Sequence, residues 1–320
     1  MARLIPISKF LYPFLFRSNS FRYYSTYPSS SKIKSYSDQI YDFRSDTVTK
    51  PTDEMFDIMR NASRGDDVFN EDESTYELET YIAELTGHDA ALFAPSDKPN
   101  SNSSTFINTT PFELITTDDM HYAPTRVISL ENTLHDGARL WNACAETGLS
   151  LQEFTRNFDS ISLCLSKGIG APIGSVLVGN KEFIKTARHL RKLFGGGWRQ
   201  CGSLASAAKY AIASNFPYHL KKSHLLAKKL SNELLNLGIH VTLPVHTNMI
   251  FIDTKSINIT TGELANSLAS HNILISGDNS TTTRLVLHYQ IPPISIEKFI
   301  DVVANIIKEK NLKKNYNVHK

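Results

Sequence analysis

Cysteine is scarce in this 320-residue chain: Cys144, Cys164 and Cys201 are the only three. An odd, sparse count without a Cys-x-x-Cys pair excludes a disulfide scaffold and a thiolate zinc site, so no metal is expected. Long apolar runs are also missing. Nothing approaches the ~18 consecutive apolar residues of a membrane-spanning helix, so no membrane partner is expected. Acidic residues are absent from positions 1–37, which carry Arg3, Lys9, Arg17, Arg22, Lys32 and Lys34. The formal charge of +2 comes from this leader, because the rest holds 28 basic against 32 acidic residues. That balance excludes a nucleic-acid partner bound through its phosphates.

What remains is a composition of 41% hydrophobic and 21% charged residues, that of a globular chain long enough for a large core. The leader, rich in Ser, Arg and aromatics, has an apolar run broken at Pro13. This reads as a mitochondrial transit peptide, with the matrix as destination and the cytosol as the alternative.

From residue 38 onward, helical periodicity alternates with short apolar runs. Helices are expected over 74–87, 139–148, 181–193, 203–214, 218–237, 261–270 and 295–309. Ser74 would cap the first with Glu77, and Gly87 would stop it. Strands are expected at 90–94, 125–130, 160–166, 174–178, 246–252, 273–276 and 284–288. Residues 97–110 read as a polar loop, and the basic end after Lys308 as frayed. The pattern predicts an α/β layer fold with a smaller C-terminal α+β domain. The expected division is leader 1–37, large domain 38–239, small domain 240–310 and tail 311–320.

The stretch from Ser166 to Gly174 carries the most chemistry, because Lys167 ends an apolar strand and opens a glycine-rich turn. An amine whose charged form is disfavoured attacks a carbonyl and forms a Schiff base. A turn lysine with its ammonium in water is the plainer alternative. Asp136 lies 31 residues earlier, a spacing that suits two neighbouring parallel strand ends opening on one crevice. There its carboxylate could hold a pyridinium proton, or simply cap a helix. Arg139 could clamp a carboxylate bidentately, or form a surface ion pair.

Seven motifs then appear in order: DFRSDTVTKPT (42–52), GDDVFNED (65–72), SLEN (129–132), DGARLWNA (136–143), SLCLSKGIGAPIGSVLVGN (162–180), GGGWRQ (195–200) and RLVLH (284–288). Together they resemble the threonine aldolases, fold-type I pyridoxal-phosphate enzymes of the β-eliminating lyase superfamily. The resemblance implies a three-layer fold of the aspartate aminotransferase type. It implies pyridoxal 5'-phosphate as cofactor, a small amino acid as substrate, and cleavage of threonine or allo-threonine to glycine and acetaldehyde. It also implies a homodimer or homotetramer. Lys167 would carry the cofactor and Asp136 would face its ring nitrogen. Ser45, Arg139 and Arg284 would bind the substrate carboxylate. Lys192 and Arg199 would reach the cofactor phosphate across a subunit interface. His121 would face the substrate hydroxyl and help break the Cα–Cβ bond.

The chain departs from that pattern twice. After Ser96, Asp97-Lys98-Pro99 stands where the family has a Gly-Thr helix start that holds phosphate. Only five residues, 131–135, join Leu130 to Asp136, too few for a parallel crossover. The central sheet is therefore expected to be incomplete. Skipped coding segments and a degenerate paralogue both account for this. The second leaves an impaired or inactive subunit, partnering a full-length relative, as the alternative function. Another β-eliminating lyase, cleaving tryptophan or tyrosine, is a further alternative.

Overall fold

The computed structural model describes residues 39–95 and 139–318. The leader, the 97–110 loop, the 125–130 strand, His121 and Asp136 lie outside the described residues.

Two-residue strand β1 (Tyr41–Asp42) opens the described chain and is followed by α1 (Asp53–Asn61). Thr52 caps α1 with its hydroxyl on the Met55 amide, and Asp53 and Glu54 fill the first turn. The sequence reading did not anticipate this helix, although cap and acidic turn were both there to be read. Helix α2 (Glu73–Thr86) starts one residue earlier than expected, and its cap is Asp72 rather than Ser74. Asp72 Oδ1 accepts from the Thr75 amide, while Ser63 and Ser74 each bond the other's backbone amide through their hydroxyls. A carboxylate suits a helix start better than a hydroxyl, which leaves Ser74 for that clasp. Gly87 ends α2 as expected, at φ +72°.

Strand β2 (Ala90–Ala94), α3 (Leu140–Thr147), α4 (Leu151–Thr155), β3 (Ser160–Cys164) and β4 (Ser175–Gly179) follow. They form a sheet in the order β2-β4-β3, with both neighbouring pairs antiparallel. The outer strands β2 and β3 thus run parallel to one another on either side of β4. Among the described residues, β3 has no parallel neighbour.

Helices α5 (Lys181–Leu193), α6 (Gly202–Asn215) and α7 (Tyr218–Asn236) come next. Beyond them lie β5 (His240–Val241), β6 (Met249–Asp253), α8 (Thr261–Ala269), β7 (Ile273–Leu274), β8 (Thr282–Val286) and α9 (Pro293–Val318). Strands β5, β6 and β8 form a second antiparallel sheet, and β1 pairs in parallel with β7. The last helix runs well past residue 308. Pro293 suits its start, where a missing N–H costs nothing, and Lys310 Nζ ties the later turns to the Asn258 carbonyl at 2.6 Å.

The described residues belong to one compact unit and pack around two cores. One holds Phe93, Trp141, Leu163 and Val176, under α1, α2 and α6. The other holds Phe43, Ile250, Leu285 and Phe299. Helix α7 serves both, with Leu220 in the first and Ala227, Leu230 and Leu234 in the second.

Candidate functional site

The end of β3 is built as a tight turn. Leu165 N–H bonds the Gly174 carbonyl at 2.9 Å, Ala171 N–H the Leu165 carbonyl at 2.9 Å, and Gly170 N–H the Lys167 carbonyl at 2.8 Å. Gly170 sits at φ +80°, and a Cβ there would meet the Tyr289 ring at 2.4 Å, so the glycine is required twice over. Lys167 is half-buried and has an interaction partner of its own.

Three helices hold this turn from behind. Trp141 Nε1 donates to the Cys164 carbonyl at 3.1 Å, and Asn215 Nδ2 to the Ile169 carbonyl at 2.7 Å. Asn142 packs against Gly168, where a Cβ would come within 3.2 Å of it. Asn142 is fixed in turn by His224 Nε2 at 2.8 Å, and His224 Nδ1 meets Glu146 at 2.9 Å. Burial pushes the His224 pKa down despite that carboxylate.

Because α3 begins against this strand end, its N-cap residue Arg139 is delivered to the same place. Arg139 is 5% exposed and pairs through Nη2 with Asp46 Oδ1 at 3.0 Å; Asp46 is 0% exposed. This is a buried ion pair, not a surface one. The second oxygen of Asp46 accepts from Asn248 Nδ2 at 3.2 Å, and the same amide group donates to the Leu287 carbonyl at 2.9 Å. Removing one partner of such a pair costs about 3–5 kcal/mol, so the hub is an expensive one to break.

Four chain segments therefore converge: the DFRSDT segment, the start of α3, the start of β6 and the exit of β8. Ser45 stands beside Asp46 and caps a short 3-10 turn, with its Oγ accepting from the Thr47 amide at 3.2 Å. At the β8 exit, His288 Nε2 donates to the Asp42 carbonyl at 2.9 Å, and burial lowers its pKa. Arg284 lies on β8 opposite Phe251, is exposed, and has a partner of its own.

Lys192 and Arg199 belong to a different group. They flank the exposed Gly195-Gly196-Gly197 loop, and Arg199, 75% exposed, pairs with Asp66 at 3.5 Å. Behind them Arg188 and Arg191 both bind Asp67. Arg188 also binds Glu79, whose other oxygen accepts from the Phe93 amide at 2.8 Å. Burial raises the Glu79 pKa against the pull of Arg188. Lys192, Arg188 and Arg191 line a cleft of about 510 Å³. The structure thus joins Arg139, through Asp46 beside Ser45, to the β8 exit, backs the Lys167 turn with α3 and α6, and sets Lys192 and Arg199 on the arginine–acid layer at the end of β2.

Sequence reasoning missed Asp46, Asn142, Asn215, Asn248 and Tyr289. Asp46 and Asn142 lie inside quoted motifs, but nothing in a string of letters says which polar residue is buried. As to metals, the described residues hold no cluster of three or more His, Cys, Asp or Glu fit to bind one.

The residues present fit pyridoxal phosphate in the part they supply. Lys167 offers a primary amine, and Arg139 offers a desolvated guanidinium. The buried Oδ1 of Asn248 has no hydrogen-bond partner among the described residues, leaving an acceptor in the same hub.

Comparison with known proteins gives three findings. The beta-eliminating lyase family model matches residues 42–107 and 134–256. The low-specificity L-threonine aldolase of Saccharomyces cerevisiae is 33% identical, covering 80% of this chain and 84% of its own. The low-specificity L-threonine aldolase of Escherichia coli K12 is 32% identical, covering 82% and 97%. The E. coli alignment runs to 333 residues while using 82% of a 320-residue chain. At roughly 70 positions the relative therefore has a residue and this chain has none. Among solved structures, the Leishmania major threonine aldolase superposes with a TM-score of 0.60 at 16% identity, covering 83% of this chain and 99% of that one. An 8-amino-7-oxononanoate synthase from Francisella tularensis superposes with a TM-score of 0.53 at 10% identity, covering 85% and 99%. The shared architecture is the fold-type I α/β fold.

Proposed function

The chain belongs to the beta-eliminating lyase family, with low-specificity threonine aldolases among its relatives, and on that premise we propose that it is a pyridoxal-phosphate-dependent aldehyde-lyase. Its substrate is L-threonine or L-allo-threonine, and its products are glycine and acetaldehyde. The observation that carries this reading is that one helix, α3, braces the end of β3 before Lys167 through Trp141 and carries the buried Arg139–Asp46 pair at its N-cap.

Pyridoxal phosphate, when bound, supplies an aldehyde that condenses with amines and a ring that accepts an electron pair. The chain's own residues do the rest. Lys167 holds the cofactor through its amine. Arg139, with Ser45 and Arg284, binds the substrate carboxylate and so turns the Cα–Cβ bond into a fixed orientation. His121 is assigned to the β-hydroxyl proton and Asp136 to the ring-nitrogen proton, both from the motif resemblance. Lys192 at the end of α5 and Arg199 beyond the glycine loop, both exposed, are assigned to the phosphate of a neighbouring copy in a homo-oligomer. The acid-free leader supports a mitochondrial matrix location.

The roughly 70 unmatched positions favour a second reading, an impaired subunit that associates with a complete relative. Purified 320-residue chain incubated with the cofactor and threonine separates the two. The first reading predicts glycine and acetaldehyde in equal amounts, lost in Lys167→Ala. Absence of bound cofactor and of product would leave the second. Ammonia and pyruvate instead would point to another lyase of the superfamily.

A further inference from the structure

A buried arginine that must receive a substrate carboxylate needs something to hold it, because a guanidinium on a long side chain loses much rotamer freedom when fixed. Asp46 is placed for that task. Its two oxygens are divided: Oδ1 takes Arg139 Nη2 at 3.0 Å and Oδ2 takes Asn248 Nδ2 at 3.2 Å. Asn248 is itself locked, since its side-chain amide also donates to the Leu287 carbonyl at 2.9 Å, and its main-chain carbonyl accepts from the Leu287 N–H at 2.8 Å. The chain of contacts runs from the rigid β6–β8 sheet through Asn248 and Asp46 to Arg139. It does not pass through the lysine turn.

We propose that Asp46, backed by Asn248, is the positioning residue that aims the Arg139 guanidinium at the α-carboxylate of the substrate. This deepens the aldolase reading and rests on it for the identity of the ligand. The carboxylate form is needed at position 46. An Asn there keeps the shape but offers one acceptor and one donor group to two donors, so Arg139 or Asn248 faces a clash of like hydrogen-bonding groups. A Glu adds a methylene to a fully buried site.

The role is specific enough to be separated from a merely structural one. The holoenzyme is titrated with glycine and with methylamine, which differ by the carboxylate, and binding is followed through the cofactor's absorbance. In Asp46→Asn, glycine affinity falls about tenfold or more, the loss expected for a misplaced charged hydrogen bond, while methylamine affinity holds. Equal losses for both ligands, or none for either, would overturn the proposal. Asn248→Ser gives a milder form of the same selective loss and serves if Asp46→Asn does not fold.

A second readout needs no cofactor. Arginine-selective dicarbonyl labelling of the unloaded chain, read by peptide mass spectrometry, reports Arg139 against the helix-end Arg60. Labelling of Arg139 relative to Arg60 rises several-fold in Asp46→Asn if Asp46 holds it; an unchanged ratio overturns the proposal. If the wild-type chain binds no cofactor, the function reading fails, and this labelling still decides the role of Asp46.

Discussion

Single atoms decide the character of the lysine turn. At Gly170 an added methyl would meet the Tyr289 ring at 2.4 Å in a backbone conformation that L side chains avoid. We therefore expect Gly170→Ala to cost about 1–3 kcal/mol in denaturant unfolding and to weaken cofactor binding. Unaltered stability would show that the turn is looser than its hydrogen bonds imply. Two of the cysteines, Cys144 and Cys201, are held unreactive by burial. Burial pushes the Cys144 thiol up to about 12 and the Cys201 thiol up to about 11. Thiol-selective reagents should leave both unmodified in native chain at pH 8 and label them on unfolding. Lys167 was legible from sequence because a lysine closing an apolar strand before glycines is conspicuous. Asp46 was not, because an acid in a motif looks the same whether it faces water or a buried arginine.

At the scale of elements, α3 and α7 are joined through a buried histidine, His224. His224 touches Asn142 and Glu146 on α3, with Lys228 and Lys221 of its own helix acting on it. Its folded pKa lies below the ordinary 6.5, as does that of His288. A lowered histidine pKa means that the unfolded chain binds the proton more readily. The stabilisation is therefore complete above about pH 6.5 and is lost as pH falls toward the folded value. Melting temperature should drop below pH 6.5, and His224→Gln should flatten part of that slope. A slope unchanged by the substitution would remove His224 from the account. Periodicity placed most described helices and strands within a few residues. It erred where a tertiary contact intervened: Asn248 leaves the expected strand to bond Asp46, and His288 leaves β8 to bond Asp42.

For the whole molecule, the question is whether a family fold with roughly 70 positions missing still assembles the family's chemistry. The described half of the site does not depend on the interrupted region alone. It rests on β3, α3 and α6 in the first core, the C-terminal sheet in the second, and α7 in both. Motif order made the family legible in sequence. The antiparallel β2-β4-β3 arrangement was not legible, because strand partners far apart in sequence leave no local signal. The most direct test is to incubate the 320-residue chain with pyridoxal phosphate, reduce with borohydride and map the modified peptide by mass spectrometry. The account predicts a stoichiometric phosphopyridoxyl group on Lys167. A chain left unlabelled there, or labelled only at surface lysines, would contradict it.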